Sequence, residues 1–307
     1  MLLTVGGFSH AQEKMADAPR TKTQVVLLGT GNPFPDPDRS GPATAIVVNG
    51  TAYLVDLGAG VVRRAKSAMF DKGIAALEPT KLRVAFVTHL HSDHTVGYPD
   101  LIFTPAVVGR KTPLEIYGLK GIKAMTENIL AAWHEDIEER VATESFQTAN
   151  YREVYNVNVH EIAAGVIYKD ANVTVTAFAT KHVFPENFGY RFDTADRSIV
   201  LSGDTAPTQA VVDACHGCDI LIHEVMTEEW LAHRPDFRPY ASKYHTSTKE
   251  LAEIASKAKP KLLILSHASI VLRPALRPQA SSPEQLLKEI HAGYNGEVVV
   301  GRDLDVY

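Results

Sequence analysis

Two cysteines, Cys215 and Cys218, are all that the 307 residues contain. That excludes a disulfide scaffold and a four-cysteine zinc module. Their C-x-x-C spacing admits a redox reading, but no thioredoxin-like context surrounds it. No apolar run approaches the roughly 20 residues that a membrane-crossing helix needs, so no membrane partner is expected. Positive charge is in short supply as well: 31 Lys and Arg stand against 36 Asp and Glu, a net charge of −5. The chain therefore lacks the global basic field that accompanies non-specific nucleic-acid binding, although a local basic patch remains open. Histidine is what the chain has in quantity, thirteen in all. Several stand in short polar clusters at the ends of apolar runs, where metal sites are built. A hydrophobic content of 45% is enough to fill a sizeable core.

Residues 1–11 form a short apolar stretch ending in Ser9-His10-Ala11, a small-x-small cleavage pattern, with polar Gln12-Glu13-Lys14 behind it and no basic residues ahead of it. This reads as the remnant of an export signal, placing the protein in the periplasm or outside the cell. A flexible cytoplasmic tail is the alternative. Residues 1–23 are accordingly set apart from one large domain over 24–307, since no repeat, linker or composition break divides the rest.

Val25 to Leu28, ended by Gly29-Thr30-Gly31-Asn32-Pro33, reads as a buried strand running into a tight loop. Asn49-Gly50 between two apolar runs marks a hairpin. Helical spacing is expected over 59–69, 98–108, 121–133, 208–215, 226–233, 248–258 and 283–292. Strand patterns fall at 82–87, 113–117, 152–160, 173–179, 189–193, 198–202, 219–223, 261–265 and 297–300. Ser247-x-x-Glu250 is a capping box at one helix start. Hairpins first and strand–helix alternation later fit two packed sheets with helices outside.

The sharpest motif is Thr88-His89-Leu90-His91-Ser92-Asp93-His94, an H-x-H-x-D-H string directly after an apolar strand. In an extended segment His89 and His91 point the same way and can grip one ion, while Asp93 and His94 turn toward a second. Imidazole and carboxylate donors without thiolates suit zinc, with manganese, iron or cobalt as substitutes. Three later strands each deliver a further donor: His182 after 173–179, Asp204 after 198–202, His267 after 261–265. Any one alone reads as a polar strand end; the series reads as two metal shells. A pair of metals activates a water at neutral pH. Asp93 can take that water's proton or can serve purely as a ligand.

The string His89 to His94, then His182, Gly203-Asp204-Thr205 and His267 resemble the metallo-β-lactamase superfamily over nearly the whole chain after Gln24. The likeness sharpens toward the ribonuclease Z branch in Leu28 to Pro33, Gly41-Pro42, Phe188 to Phe192, His223-Glu224 and His245-Thr246-Ser247. It implies an α+β fold, the four-layer αβ/βα sandwich, with two Zn2+ per chain at one sheet edge. By the same resemblance His89, His91 and His182 hold one ion, Asp93, His94 and His267 the other, and Asp204 bridges them. It also makes His245, paired with Glu224, a charge-stabilising acid for the leaving group, a role an imidazolium held by a carboxylate can play. His223 reads as structural, and His10, His134, His160, His216, His233 and His291 as surface or core residues.

Transfer-RNA-processing members of that branch usually carry a flexible basic arm. The matching stretch here, residues 146–169, has only Arg152 and Lys169 as basic residues, too few for strong phosphate-backbone binding. The expectation is therefore a phosphodiesterase or ribonuclease Z-like endonuclease acting on a small-molecule or RNA phosphodiester. An exported hydrolase of an aryl sulfate, lactone or β-lactam at the same site is the alternative; a non-enzymatic metal-binding protein is a third reading, weakened by the complete ligand set. Ile102-Phe103, Trp133 and residues 230–244 are candidate substrate contacts, with ordinary packing as the competing reading. The resemblance also admits a homodimer.

Overall fold

The computed structural model describes residues 23–144, 150–270, 272 and 280–307. The export-signal reading of residues 1–11 and the assignment of His10 lie outside the described residues, as do positions 146–149 of the stretch where an arm was sought.

Why the first strand is a continuous apolar run is visible in where its side chains go. In β1 (Thr23–Gly29), Val25 and Leu27 enter one core while Val26 and Leu28 enter another. A strand buried on both faces does not alternate apolar with polar. The first sheet continues with β2 (Ala43–Val48), β3 (Thr51–Val55), β4 (Val84–Phe86), β5 (Leu114–Gly118) and β6 (Val157–Glu161), in that spatial order. Its first three strands are antiparallel, and from β3 onward neighbours are parallel. Asn49 and Gly50, both at positive φ, make the β2–β3 hairpin as the dipeptide foretold.

The second sheet runs β13 (Val298–Val300), β12 (Leu262–Leu265), β11 (Ile220–His223), β10 (Ser198–Leu201), β9 (Phe188–Thr194), β8 (Val173–Ala179), β7 (Gly165–Lys169). The inner faces of both sheets share a core of Leu27, Ile46, Tyr53, Phe86, Val175, Tyr190, Phe192, Ile199 and Ile222. Helices cover the outer faces. α1 (Val61–Asp71) and α3 (Tyr98–Val107) pack on the first sheet. α6 (Gln209–Cys215), α9 (Thr248–Ala258) and α10 (Pro283–His291) pack on the second. Helix, sheet, sheet, helix is the expected four-layer α+β sandwich. Short α2 (Ser92–Thr95), α4 (Ile122–Ala132), α5 (His134–Thr143), α7 (Glu228–Ala232) and α8 (Arg238–Tyr244) complete the elements.

Three differences from the sequence reading have physical causes. The strand expected over 152–160 is a 3-10 turn, Tyr151–Tyr155, followed by β6. Tyr151, Val154 and Tyr155 turn inward together onto the first sheet's helical core, and buried Arg110 donates to the Val154 carbonyl at 2.9 Å. α5 and α8 went unseen because each follows another helix almost directly and buries only one side chain, Ile137 or Ala241, so no apolar stripe marks them. β7 is an edge strand with Gly165 and Val166 exposed, which blurs its alternation.

Cys215 and Cys218 are joined in a disulfide. Both lie buried in the core between the second sheet and its helices, with Val211, Leu221 and Ala255. Their burial takes them out of reach of a partner thiol, so the redox reading of this C-x-x-C finds no support in its surroundings.

Candidate metal centre

All seven donors named from the sequence gather at one edge of the two sheets, each carried there by the end of a strand. β4 runs into Thr88 to His91 and then into α2, bringing His89, His91, Asp93 and His94. β8, β10 and β12 deliver His182, Asp204 and His267. Groups of donor atoms within 4.8 Å of one another are His89, His91 and His182; His89, His94 and Asp204; Asp93, His94 and His267; and His182, Asp204 and His245.

Four of the five imidazoles are oriented by a partner on the outer nitrogen. His94 Nδ1 donates to Asp56 Oδ2 at 2.9 Å, His182 Nδ1 to the Tyr244 carbonyl at 2.8 Å, and His267 Nδ1 to the Gly31 carbonyl at 2.7 Å. Thr88 Oγ1, which gives its proton to the Asp56 carboxylate, can accept from His89 Nδ1 at 3.0 Å. That leaves the Nε2 lone pairs of these four rings facing inward, the tautomer a metal takes. His89 Nε2 and His182 Nε2 then sit 3.0 and 3.2 Å from His91 Nδ1. Three imidazole nitrogens that close, two of them presenting lone pairs, form a donor set suited to a cation. On the other side, buried Asp93 Oδ2, His94 Nε2 and Asp204 Oδ1 have no hydrogen-bond partner among the described residues. Orphaned buried polar atoms of this kind require a ligand. Asp204 lies between the two groups, 3.2 Å from His267 Nε2, 3.5 Å from His94 Nε2 and 4.0 Å from His182 Nε2. The donor set fits two hard-to-borderline divalent ions with nitrogen and oxygen ligands.

Proton affinities divide the rings into two groups. Burial is the largest cause holding His89, His91 and His182 below the usual imidazole range, which leaves them neutral. Burial is also the largest single influence at His94 and His267 and opposes their protonation, but the facing carboxylates, Asp204 with Asp56 at His94 and Asp204 with Asp93 at His267, together outweigh it and raise both. Asp204 in turn is held low because His267 and His94 outweigh its own burial.

His245 stands beside this group, its Nδ1 4.0 Å from Asp204 Oδ2 and 3.2 Å from Glu224 Oε1. The same Glu224 oxygen accepts from the Thr205 and Thr246 amides at 3.2 and 3.1 Å, which fixes the carboxylate in place. Burial lowers the His245 pKa, yet the Glu224 charge and hydrogen bond win and raise it to about 9. With Nδ1 committed to Glu224, only Nε2 is left to meet a substrate. His223 belongs to none of the donor groups and gives its Nδ1 proton to the Glu224 carbonyl at 2.6 Å. His134, His160, His216, His233 and His291 lie outside it, His160 stacked on Tyr117.

Sequence reasoning missed Asp56. It follows the apolar β3 directly, the same strand-end signal that marked the ligands, but nothing in the spacing ties it to His94. A cleft of about 570 Å3 is lined by Asp93 with Pro33, Phe34 and Val96, and a groove of about 390 Å3 is lined by His245 with residues of α8 and α9. The described part of the stretch where an arm was sought, residues 150–169, folds as a turn and two strands, with Arg152 paired to Glu138 at 2.6 Å.

Comparison with known proteins agrees with this geometry. The profile of the beta-lactamase superfamily domain matches residues 51–268. Ribonuclease Z of Mycobacterium bovis (strain BCG / Pasteur 1173P2) is 33% identical over 287 residues, covering 92% of this chain and 96% of that protein. Ribonuclease Z of Mycobacterium sp. (strain KMS) is 37% identical over 250 residues, covering 80% and 83%. Among solved structures, the short form of human tRNase Z superposes with a TM-score of 0.67 at 23% identity over 92% of this chain and 98% of that one. The metallo-beta-lactamase fold protein YhfI of Bacillus subtilis gives 0.68 at 18% identity, over 93% and 99%, and at such identities the likeness is one of fold.

Proposed function

The chain belongs to the beta-lactamase superfamily and, within it, to the ribonuclease Z family, and from that premise we propose a dinuclear zinc enzyme that cleaves a phosphodiester bond of RNA or of a smaller nucleotide ester. It is a metal-dependent hydrolase of the ribonuclease Z-like, phosphodiester-cleaving class. The observation that carries the finer reading is the Glu224–His245 pair. A protonated imidazole outside the ligand set, 4.0 Å from Asp204, is what the departure of an alkoxide requires and what simple metal storage does not.

His89, His91 and His182 would hold one ion and Asp93, His94 and His267 the other, with Asp204 between them. Bound zinc would supply a water of lowered pKa and polarise the phosphoryl oxygens. Asp93, partly exposed at the edge of the cleft, keeps Oδ2 3.6 Å from His94 Nε2 and 3.7 Å from His267 Nε2, so its carboxylate can ligate and can take the attacking water's proton. The water oxygen forms the new P–O bond as the P–O bond to the leaving oxygen breaks. His245 Nε2 gives its proton to that leaving oxygen, and Glu224 stabilises the imidazolium until then. Sparse basic residues at 150–169 favour a short or single-stranded substrate over a large folded RNA.

Zinc content by elemental analysis, with turnover of bis(p-nitrophenyl) phosphate followed on the same sample, tests the reading. Two zincs per chain with phosphodiester turnover support it. Turnover confined to an aryl sulfate, a lactone or a cephalosporin overturns the substrate, and absence of metal overturns the mechanism. Export to the periplasm or beyond belongs to the same proposal; it rests on residues 1–11 and is supported by the Cys215–Cys218 bond, since disulfides persist in oxidising compartments. Cell fractionation tests it.

A further inference from the structure

A row of aromatic side chains runs from buried Trp230 to an exposed ring beside His245, and the mechanism above leaves it unused. Trp230, Phe237, Tyr240 and Tyr244 contact one another in sequence, with ring centroids 5.3, 5.1 and 5.0 Å apart. Phe237, Tyr240 and Tyr244 are spaced three and four apart along α8, so they share one helix face. At the inner end the Tyr240 ring lies 5.7 Å from that of His245, and the Tyr244 ring 6.1 Å from that of His182. Trp230 is buried and Phe237 and Tyr244 are half-buried, but Tyr240 keeps 38% of its surface exposed beside a catalytic histidine that is only 8% exposed.

Burial economy does not explain a large exposed ring there, and nothing in the fold uses its hydroxyl: Tyr240 Oη makes no hydrogen bond among the described residues. Cations accompany the row. The Arg234 guanidinium lies 5.6 Å from the Trp230 and Phe237 rings, and Lys243 Nζ lies 5.0 Å from the Tyr244 ring. Arg234 is neutralised by Asp236 at 2.9 Å, whereas Lys243 has no carboxylate partner among the described residues. An exposed ring whose neighbour in the row, Tyr244, carries an unneutralised ammonium suits a base and its phosphate, because every nucleobase has a π-face and stacking tolerates sequence.

We propose that Tyr240 is the stacking platform for an unpaired nucleobase, that of the nucleoside whose oxygen departs from phosphorus, with Lys243 facing the adjoining phosphate. Its side of the site follows from chemistry: the leaving oxygen must meet His245 Nε2, and Tyr240 is the open ring next to His245. A base in a duplex has both faces covered, so the platform selects single-stranded substrate at the cleavage position. This rests on the phosphodiesterase reading and specifies its substrate as a nucleotide chain with an unstacked base.

The test uses the zinc-loaded full chain, a diadenosine monophosphate, and its twin with an abasic ribose on the leaving side; bis(p-nitrophenyl) phosphate reports on the parent reading. In the native protein, loss of the base raises KM about 10- to 100-fold, the range that one stacking contact supplies. Tyr240→Ala brings the ratio of the two KM values close to one, and Tyr240→Phe restores it, because the ring and not the hydroxyl carries the contact. A merely structural role would change both substrates alike and leave the ratio intact. A ratio near one in the native protein, or one unaltered in Tyr240→Ala, overturns the platform. So does turnover of bis(p-nitrophenyl) phosphate without cleavage of the dinucleotide. If no phosphodiester is turned over, the parent reading falls and the platform with it.

Discussion

Asp56 and His94 are 38 residues apart in sequence and joined at 2.9 Å, carboxylate oxygen to imidazole Nδ1. Through its other oxygen the same carboxylate holds the Thr88 amide at 2.8 Å, so one residue at a positive φ positions both the start of the H-x-H-x-D-H loop and its last histidine. Asp56→Ala is expected to weaken zinc binding by roughly 10- to 100-fold. It should also leave the buried Thr88 amide unpaired, at a cost of about 1–3 kcal/mol. Chelator competition and thermal unfolding of the metal-free protein read the two effects separately; unchanged zinc affinity would remove Asp56 from the site.

Removal of metal should destabilise as well as inactivate. The orphaned atoms of Asp93, His94 and Asp204 lose their ligand, and binding free energy present only in the folded state disappears. Dialysis against a chelator is expected to lower Tm by several degrees and abolish turnover, with both restored by added zinc. Asp204→Ala should show the low Tm and no response to zinc, since Asp204 stands between both donor groups.

His245→Ala is expected to retain the full zinc content and to lose about 10²- to 10⁴-fold in kcat, the usual contribution of a positioned general acid. Glu224→Gln should lose part of that, because its amide still accepts from the Thr205 and Thr246 backbone but no longer holds the imidazolium. Zinc loss in His245→Ala would make it a ligand instead.

The His245 pKa, raised to about 9 by Glu224 against the effect of burial, gives the pH dependence its sign. The acid form is the working form, so kcat falls as pH rises through the pKa of the loaded enzyme. Bound cations oppose the Asp204 contribution and bring that limb below about 9. The linked stability runs the same way: it is complete below the unfolded value of about 6.5 and is lost as pH rises through the folded value. In Glu224→Gln the alkaline limb should move to lower pH; a limb that stays in place would assign it to another group.

Arg110, only 1% exposed, donates to the carbonyls of Leu101, Ile102 and Val154 at 2.9–3.0 Å. It ties α3 to the turn before β6 without a carboxylate partner among the described residues. Arg110→Ala leaves three buried acceptors unmet and a cavity, and a loss of about 3–5 kcal/mol is expected in denaturant unfolding of the metal-free protein. A change under about 1 kcal/mol would mean that water replaces the guanidinium.

What the sequence determined by itself was local. Continuous apolar runs such as Val25 to Leu28 announced strands covered on both faces, the Ser247–Glu250 capping box appears as read, and polar groups shortly after each of four strands marked the seven candidate donors that the tertiary structure gathers. These signals survive because each belongs to a few consecutive residues. Only the tertiary structure could decide which strand end faces which. Asp56 carries the same mark as the ligands, yet it becomes the partner of His94 through β3 lying parallel to β4. Glu224 and His245 meet because β11 and α8 end at the same edge. α8 itself left no apolar stripe, since its aromatic face looks toward the site rather than into a core, so the placement of Tyr240 beside His245 was a product of packing that no local pattern encodes.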